Sequence, residues 1–329
     1  MNKYILKTLN YLRKIYTSYN KIDLNNGFNH TFHPELTNQD ASNYIKHLLE
    51  QNLPCMIARF GGVELAILNN YLDIKKSKPI QYIDYIKGEL RHFKWDDKIF
   101  EYNYFLFSKK NHSIEHSIKK FSKLFLEDIK MLDVLGSWQE QEKKIKKYYP
   151  SNIKTVSLYD LEPYYHTKPW SKALQGKKVL VFHSFEQSII SQYKKRELLF
   201  ENPDVLPSFD LKVINTFHTF SGIDQDRFDE WFDVLNFMKK QMEAEEFDIA
   251  IIGCGPYGFH LAAHAKRIGK KAIHLGGATQ VLFGIIGERW LTVQSHLLPI
   301  KINEHWVRPS ISETPKTGIA EKLDKAAYW

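Results

Sequence analysis

Three glycines in the second half of the chain have the spacing G-x-G-x-x-G, at Gly253, Gly255 and Gly258. They follow the apolar run 247–252 and precede a helical pattern that starts near residue 258. Glycines let a backbone come close to a phosphate, and the N–H groups at a helix N-terminus attract anions. The pattern predicts a nucleotide-phosphate turn, and a tight strand-to-helix turn without a ligand is the alternative.

An acidic residue of the kind that dinucleotide sites use is missing after these glycines. Such a residue lies about 20 positions further on and holds a ribose hydroxyl. Here that position falls near His274, and no acid stands between Lys271 and Phe283. We therefore expect no NAD, and S-adenosylmethionine is disfavoured for the same reason. A nucleotide held mainly by its diphosphate fits the pattern.

A second glycine pair, Gly276 and Gly277, follows the next apolar run and precedes Thr279. Small residues and a hydroxyl ahead of a helix suit a phosphate, although a plain loop has the same composition. Ligands of open α/β sheets bind beyond the carboxyl ends of the strands. We therefore expect Gly276, Gly277 and Thr279 to line one cleft with the glycines at 253–258.

Arg59 stands at the end of a short apolar run, 55–58, and is followed by Gly61 and Gly62. This glycine turn places Glu64 in the first turn of the next helix. An arginine and a glutamate at a strand end form either a structural ion pair or an anion contact beside a metal-binding or basic carboxylate. The sequence is compatible with both interpretations.

Two further carboxylates, Asp160 and Glu162, follow the strand pattern at 154–159. Side chains two positions apart at a strand end can both face a divalent cation such as Mn²⁺ or Mg²⁺. Asp160, Glu162 and Glu64 are therefore candidate catalytic and metal-binding residues. A solvated turn is the alternative for so common a string.

Polar groups also follow the strand pattern at 178–183. His183 ends this pattern, and Ser184 and Ser188 lie in the loop and helix start behind it. We treat His183 as a candidate catalytic residue and the two serines as candidate ligand-binding residues. Neither serine lies in a G-x-S-x-G elbow, which disfavours a hydrolase.

The elements that must position these residues alternate between strand and helix. Such alternation predicts an α/β fold of Rossmann-like type, with a mostly parallel sheet and helices on both faces. We expect an N-terminal helical arm and linker at 1–37, one nucleotide-binding domain at 38–300 and a C-terminal tail at 301–329. The helix at 1–20 is amphipathic, so it packs on the domain or on a partner subunit, or lies on an anionic membrane surface.

Composition restricts the class of protein further. The chain has 329 residues, a formal net charge of +8 and two cysteines, Cys55 and Cys254, each inside an apolar run. Two buried thiols fit a reducing cytoplasm, and the basic balance favours anionic partners. The basic residues are scattered and no nucleic-acid motif is present, so we expect no nucleic-acid partner. The expected location is the cytoplasm, where the arm packs on protein or contacts the inner face of the membrane.

Three segments resemble bacterial glycosyltransferases of the GT-D fold. In that family the first core strand ends in an R-F-G-D-G-E-like string whose Asp-x-Glu binds a metal. Here the string reads Arg59-Phe60-Gly61-Gly62-Val63-Glu64, so Gly62 replaces the Asp. The family's middle and late segments are similar to 178–200 and 251–277. A bacterial subgroup shares the Gly-Gly-Ala-Thr-Gln run and the terminal Tyr-Trp, here Tyr328 and Trp329.

The resemblance implies a UDP-sugar donor and an acceptor on a surface glycan or glycoprotein. It assigns donor binding to the turn residues already identified, which are Arg59, Gly61, Gly62, Ser184, Ser188, Gly253, Gly255, Gly258, Gly276, Gly277 and Thr279. Metal dependence is open: Asp160 and Glu162 rebuild a site with Glu64, or Arg59 neutralises the diphosphate. The rival classes are a Rossmann-like oxidoreductase or methyltransferase, and a non-catalytic nucleotide- or sugar-binding protein, which Gly62 supports.

Overall fold

The computed structural model describes residues 3–22, 34–90, 93, 106–110, 113–217, 225–292, 300–314 and 328–329. Parts of the expected linker at 21–37 and of the expected tail at 301–329 lie outside these ranges. Within them, no helix has both the length and the apolar character that crossing a bilayer requires.

A seven-stranded parallel sheet forms the centre of the described structure. Its spatial order is β3-β2-β1-β7-β6-β4-β5, and every neighbouring pair is parallel. This confirms the predicted α/β class. The strands are β1 Met56–Arg59, β2 Val134–Ser137, β3 Lys154–Ser157, β4 Lys178–His183, β5 Asp210–Ile214, β6 Ile249–Gly253 and β7 Lys271–His274.

Helices surround the sheet and follow the predicted alternation. They are α1 Lys3–Tyr19, α2 Asn38–Glu50, α3 Gly62–Lys75, α4 Lys78–Lys87, α5 Ile114–Ile129, α6 Glu186–Tyr193, α7 Trp231–Glu243, α8 Gly258–Arg267, α9 Ala278–Leu282 and α10 Glu288–Leu291. Several connections are short 3₁₀ turns, including Tyr159–Leu161, Gly255–Tyr257 and Ile311–Glu313.

Two apolar layers bury the sheet, one on each face. Successive side chains of a strand point to opposite faces, and β1 illustrates this: Met56 and Ala58 belong to the first layer and Ile57 to the second. Helices α3, α5, α7 and α8 cover the first layer, and α2 and α9 cover the second. Burial on both faces is why the strands read as apolar runs.

The chain changes face at the carboxyl end of β7. After β1 and β6 it enters α3 and α8, whose Leu65 and Leu261 lie in the first layer. After β7, which stands between those two strands, it enters α9, whose Val281 lies in the second layer. Connections that leave neighbouring strands toward opposite faces open a crevice at that edge, where open α/β sheets bind ligands.

Helix α1 packs along α4. Leu9 and Thr17 are buried on its inner side, and the Arg13 guanidinium lies 4.4 Å from the centre of the Tyr85 ring. The Arg13 Nη1 group also donates a hydrogen bond of 2.8 Å to the Leu90 carbonyl. The expected N-terminal helix is therefore present and attached to the domain by one of its faces.

Candidate functional site

The loop that follows β1 contacts the loop that follows β2. Arg59 is the last residue of β1, and the Phe60 carbonyl accepts hydrogen bonds from Trp138 Nε1 (3.0 Å) and Gln139 Nε2 (3.3 Å) in the loop behind β2. The Arg59 guanidinium lies 4.9 Å from the centre of the Trp138 ring. This contact orients the arginine at the carboxyl edge of the sheet.

The loop behind β2 is held by a buried carboxylate that the sequence interpretation missed. Glu142 accepts hydrogen bonds from the Ser137 hydroxyl and from the Trp138 and Gln139 amides, the latter two at 3.1 Å. Burial raises the pKa of Glu142 despite these donors. The sequence signal for this interaction is a capping-box pattern, in which Gln139 is followed three residues later by Glu142.

Arg59 is a cation in an unusual setting. Its Nε atom is shielded from solvent, and no acceptor among the described residues lies within hydrogen-bonding distance of it. Burial lowers the pKa of Arg59, the charge of Arg289 lowers it further, and Glu64, Tyr328 and Glu162 act in the opposite direction. A guanidinium keeps its charge even so, so the crevice contains a positive charge with an unused donor.

Glu64 lies over the same turn. Its carboxylate covers Gly61 so closely that a β-carbon at position 61 would collide with it. Burial raises the pKa of Glu64, opposed by its own backbone amide and by Arg59. Gly62 differs, since a β-carbon there would find Gln139 Oε1 at 3.5 Å and the Trp138 ring at 3.8 Å. There is thus room for a β-carbon at the position where the GT-D string has its Asp.

Asp160 lies inside the 3₁₀ turn Tyr159–Leu161, and Glu162 follows that turn. The Asp160 Oδ1 atom accepts the amide of Asn38 at 3.0 Å, at the N-terminus of α2, where a carboxylate stabilises the helix. Glu162 instead accepts the Tyr164 hydroxyl and interacts electrostatically with Arg59. Burial raises the pKa of Glu162 to about 7. The two carboxylates therefore have different surroundings and different partners.

The three carboxylates proposed as metal ligands do not gather into one cluster. Within the described ranges, no group of three or more histidine, cysteine, aspartate or glutamate side chains has the arrangement of a metal site. Glu64 and Glu162 both lie near Arg59, whereas Asp160 lies at α2. The three carboxylates thus form no common ligand cluster in the described ranges, and the metal ligand set stays a prediction.

The glycines of the G-x-G-x-x-G pattern are needed by the packing of the chain on itself. A β-carbon at Gly253 would lie 2.6 Å from Thr279 Oγ1 and 2.8 Å from the Gly276 carbonyl oxygen, and one at Gly258 would collide with the His274 ring. Gly255 is exposed and has φ of 56°, a left-handed conformation that favours glycine. The loops that follow β6 and β7 thus lie side by side.

Two side chains in this region are buried away from any ligand surface. Thr279, a candidate donor-binding residue, has no exposed area. His274 donates from Nδ1 to the Ile252 carbonyl at 3.1 Å, and burial lowers its pKa to about 3, so it is neutral. The position where a dinucleotide site has its ribose-binding acid is therefore occupied by a neutral side chain that is part of the core.

The loop behind β4 is bonded to the C-terminal segment. His183 Nδ1 accepts the Phe185 amide at 3.0 Å, and the half-buried Ser184 lies between them. Ser188 donates its amide (3.3 Å) and hydroxyl (2.5 Å) to the Glu313 carboxylate. A carboxylate at the N-terminus of α6 is electrostatically favourable, and it occupies the groups by which Ser188 was expected to bind a donor.

Tyr328 covers the second glycine loop. A β-carbon at Gly277 would lie 2.6 Å from its ring, and Gln280 Nε2 donates to the Tyr328 carbonyl at 3.2 Å. Arg289 Nη1 donates to the Tyr328 hydroxyl at 3.3 Å. The expected single cleft is therefore covered at Gly277 by the C-terminal segment. Neither Tyr328 nor Arg289 was identified as a site residue, because nothing in their local sequence places them beside Arg59.

Comparisons with known proteins give two weak structural similarities. No protein-family model and no curated protein matches the chain. A selenomethionine-substituted structure of the domain of unknown function 1792 is similar at a TM-score of 0.34 and 14% identity, covering 79% of this chain and 81% of that one. A structure described as giving the same domain a distinct glycosyltransferase fold is similar at 0.31 and 16%, covering 73% and 77%.

Proposed function

We propose that the chain is a glycosyltransferase that moves a sugar from a nucleotide-sugar donor, a UDP-sugar, to a hydroxyl group of a surface glycan or glycoprotein. The observation that carries this proposal is the half-buried Arg59 at the crevice beyond β7, whose shielded Nε donor no described residue uses. A diphosphate leaving group is the anion that such a charge stabilises best as the sugar bond breaks. The string around Arg59 is also the one that resembles the GT-D family.

Glu162 has the properties of the base in this reaction. A general base works best when its pKa is near the operating pH, and burial raises the pKa of Glu162 to about 7. The acceptor O–H proton would pass to the Glu162 carboxylate as the acceptor oxygen bonds to the sugar C1 carbon. The bond from C1 to the diphosphate oxygen breaks, and the electron pair stays on that oxygen, where Arg59 stabilises the charge.

The Tyr164 hydroxyl positions this base. It donates to Oε2 of Glu162, and no other hydrogen-bond donor to this carboxylate is present in the described part of the chain. Oε1 is thus left for an acceptor hydroxyl. Tyr159 and Tyr165 lie beside it with ring centres 5.5 Å apart, and Tyr159 is exposed. Aromatic faces of this kind suit the apolar faces of sugar rings.

Ligand screening tests the function directly. UDP and UDP-sugars should raise the melting temperature, by an amount equivalent to about 2.7 kcal/mol at a ligand concentration of 100 times Kd. NAD and S-adenosylmethionine serve as controls for the rival classes. The proposal is contradicted if NAD or S-adenosylmethionine stabilises the protein as much as UDP does. It is also contradicted if nucleotide sugars have no effect on the melting temperature.

We also propose a cytoplasmic location with peripheral contact between α1 and an anionic membrane. The outer face of α1 exposes Tyr4 (79%), Tyr11 (67%) and Ile15 (50%), and 3–19 contains basic residues but no acidic one. Apolar and basic groups together favour an anionic lipid surface. The full-length protein should sediment with vesicles that contain phosphatidylglycerol and not with phosphatidylcholine alone. Ile15→Ser should weaken this binding, and equal sedimentation with both lipids contradicts it.

A further inference from the structure

Arg59 is not the only arginine at the crevice. Arg289, in α10, lies close enough for its charge to act on Arg59. Its Nη1 atom donates to the Tyr328 hydroxyl at 3.3 Å, and its guanidinium lies 4.8 Å from the centre of the Tyr328 ring. The Tyr328 hydroxyl also interacts electrostatically with Arg59. Two guanidiniums and a phenol hydroxyl therefore converge on one point of the sheet edge.

We propose that Arg289 and Tyr328 form, together with Arg59, the binding site for the diphosphate of the nucleotide ligand. Two like charges held near each other repel, and an anion between them converts that repulsion into attraction. Guanidinium groups bind phosphate oxygens through paired N–H donors. This inference rests on the proposed function and assigns the residues that hold the leaving group.

Glycines give the backbone access to this point. Gly276 has φ of 61°, and a β-carbon there would lie 3.0 Å from Arg59 Nη1. Gly277 lies against the Tyr328 ring. A side chain at either position would separate the glycine loop from the arginines. The glycine pair that the sequence identified as a phosphate loop thus belongs to this site, with charges supplied by side chains from elsewhere in the chain.

The new members of the site are anchored by burial. Trp290 follows Arg289 and is buried in the second apolar layer, as is Trp329, which follows Tyr328. The Trp329 indole N–H donates to the Glu313 carbonyl at 3.2 Å, and its main-chain oxygen accepts from the Glu288 amide at 3.1 Å. Residues fixed in this way hold their charges in place before a ligand arrives, which is what strong anion binding requires.

Calorimetric titration of the full chain with inorganic pyrophosphate and with UDP tests the site. Arg289→Gln should weaken the binding of both probes by roughly 10- to 100-fold, because charge-assisted hydrogen bonds are lost. Arg289→Lys should restore part of the loss, and Tyr328→Phe should weaken binding by a smaller factor. Arg196→Gln is the matched control, since Arg196 pairs with the neighbouring Glu197 instead.

The outcomes separate this inference from the proposed function. Folded Arg289→Gln protein that binds pyrophosphate and UDP as tightly as the wild type overturns the inference, even if sugar transfer is observed. A wild type that binds neither probe overturns it as well. Weakened binding of both probes in Arg289→Gln supports the site even if no nucleotide sugar is consumed, in which case the glycosyltransferase proposal alone fails.

Discussion

The carboxyl edge of the sheet has two halves that differ in what their residues do. The charged half comprises the loops behind β1, β2 and β3, with Arg59, Glu64 and Glu162. The glycine half comprises the loops behind β6 and β7, with residues 253–258 and 276–277. In the charged half, half-buried ionisable groups have pKa values that burial shifts away from their ordinary values. In the glycine half, Gly253 and Gly258 are required by neighbouring side chains.

This difference shows that a motif and a function need not lie in the same residues. The G-x-G-x-x-G pattern was the more recognisable signal, yet two of its glycines meet Thr279 and His274 rather than open space. Charged groups are costly to bury unless they are paired or used. The charged half is therefore the better candidate for chemistry, and five experiments can break or sharpen the comparison.

The largest effect is expected from Glu162→Gln. Loss of a general base should lower kcat by roughly 100- to 10,000-fold. The base acts when ionised, so the wild-type rate should rise with pH and level off above about 7, following the pKa of Glu162. The rate of the Glu162→Gln variant should not rise with pH in this way. Initial rates of the wild type and the variant, measured as a function of pH, test this expectation. A variant with wild-type rates at pH 8 would remove Glu162 from the mechanism.

The same substitution has a stability signature with a definite sign. Because the folded-state pKa of Glu162 lies above its ordinary value of 4.5, its favourable contribution to folding is present below about pH 4.5 and is lost as the pH rises through about 7. Glu162→Gln should therefore stabilise the protein more at pH 8 than at pH 5, as measured by the midpoint of urea unfolding.

Arg59→Ala should have the next largest effect. Removing a cation from a developing diphosphate should cost roughly 100- to 1,000-fold in kcat/KM. Asp160→Ala is the control, because Asp160 caps α2 and should cost about 1 kcal/mol of stability with little loss of rate. If Asp160→Ala damages the rate more than Arg59→Ala does, the charge at the crevice is not the one that matters.

The fold was predictable and the assembly of the site was not. The apolar runs that follow Cys55, Lys178 and Phe247 identified strands, because the strands of a parallel sheet buried on both faces are apolar along their whole length. The convergence of Arg59 with Glu162 and Arg289 depends on contacts between residues more than 100 positions apart, which local patterns do not report. The capping role of Asp160 was missed for the same reason, since its partner Asn38 is 122 positions away.

Gly258→Ala tests the glycine half and should act on stability. The new β-carbon would meet the buried His274 ring, and overpacking of this kind typically costs about 1–3 kcal/mol. Gly62→Ala is the matched control, because the nearest atom to its β-carbon is at 3.5 Å. Urea unfolding measures both variants. If Gly258→Ala is as stable as the wild type but does not bind UDP, the G-x-G-x-x-G glycines bind the ligand and are not required for packing alone.

The smallest effect is expected from removing divalent metal ions. The described carboxylates form no cluster that suits a cation, and Gly62 takes the place of the Asp in the GT-D string. If arginines neutralise the diphosphate, EDTA should leave the transfer rate within about twofold of the untreated enzyme, since no Lewis acid is removed. Gly62→Asp sharpens this test, because the position has room for a β-carbon and stands in the first turn of α3 near Glu64. An aspartate there should stabilise the helix by about 0.3–1 kcal/mol and, by adding oxygen ligands beside Glu64, should give the variant a Mn²⁺-dependent shift in melting temperature that the wild type lacks. Loss of wild-type transfer in EDTA with recovery in Mn²⁺ would mean that Glu64 and Glu162 hold a cation after all, and the charged half would then act through a metal ion rather than through Arg59.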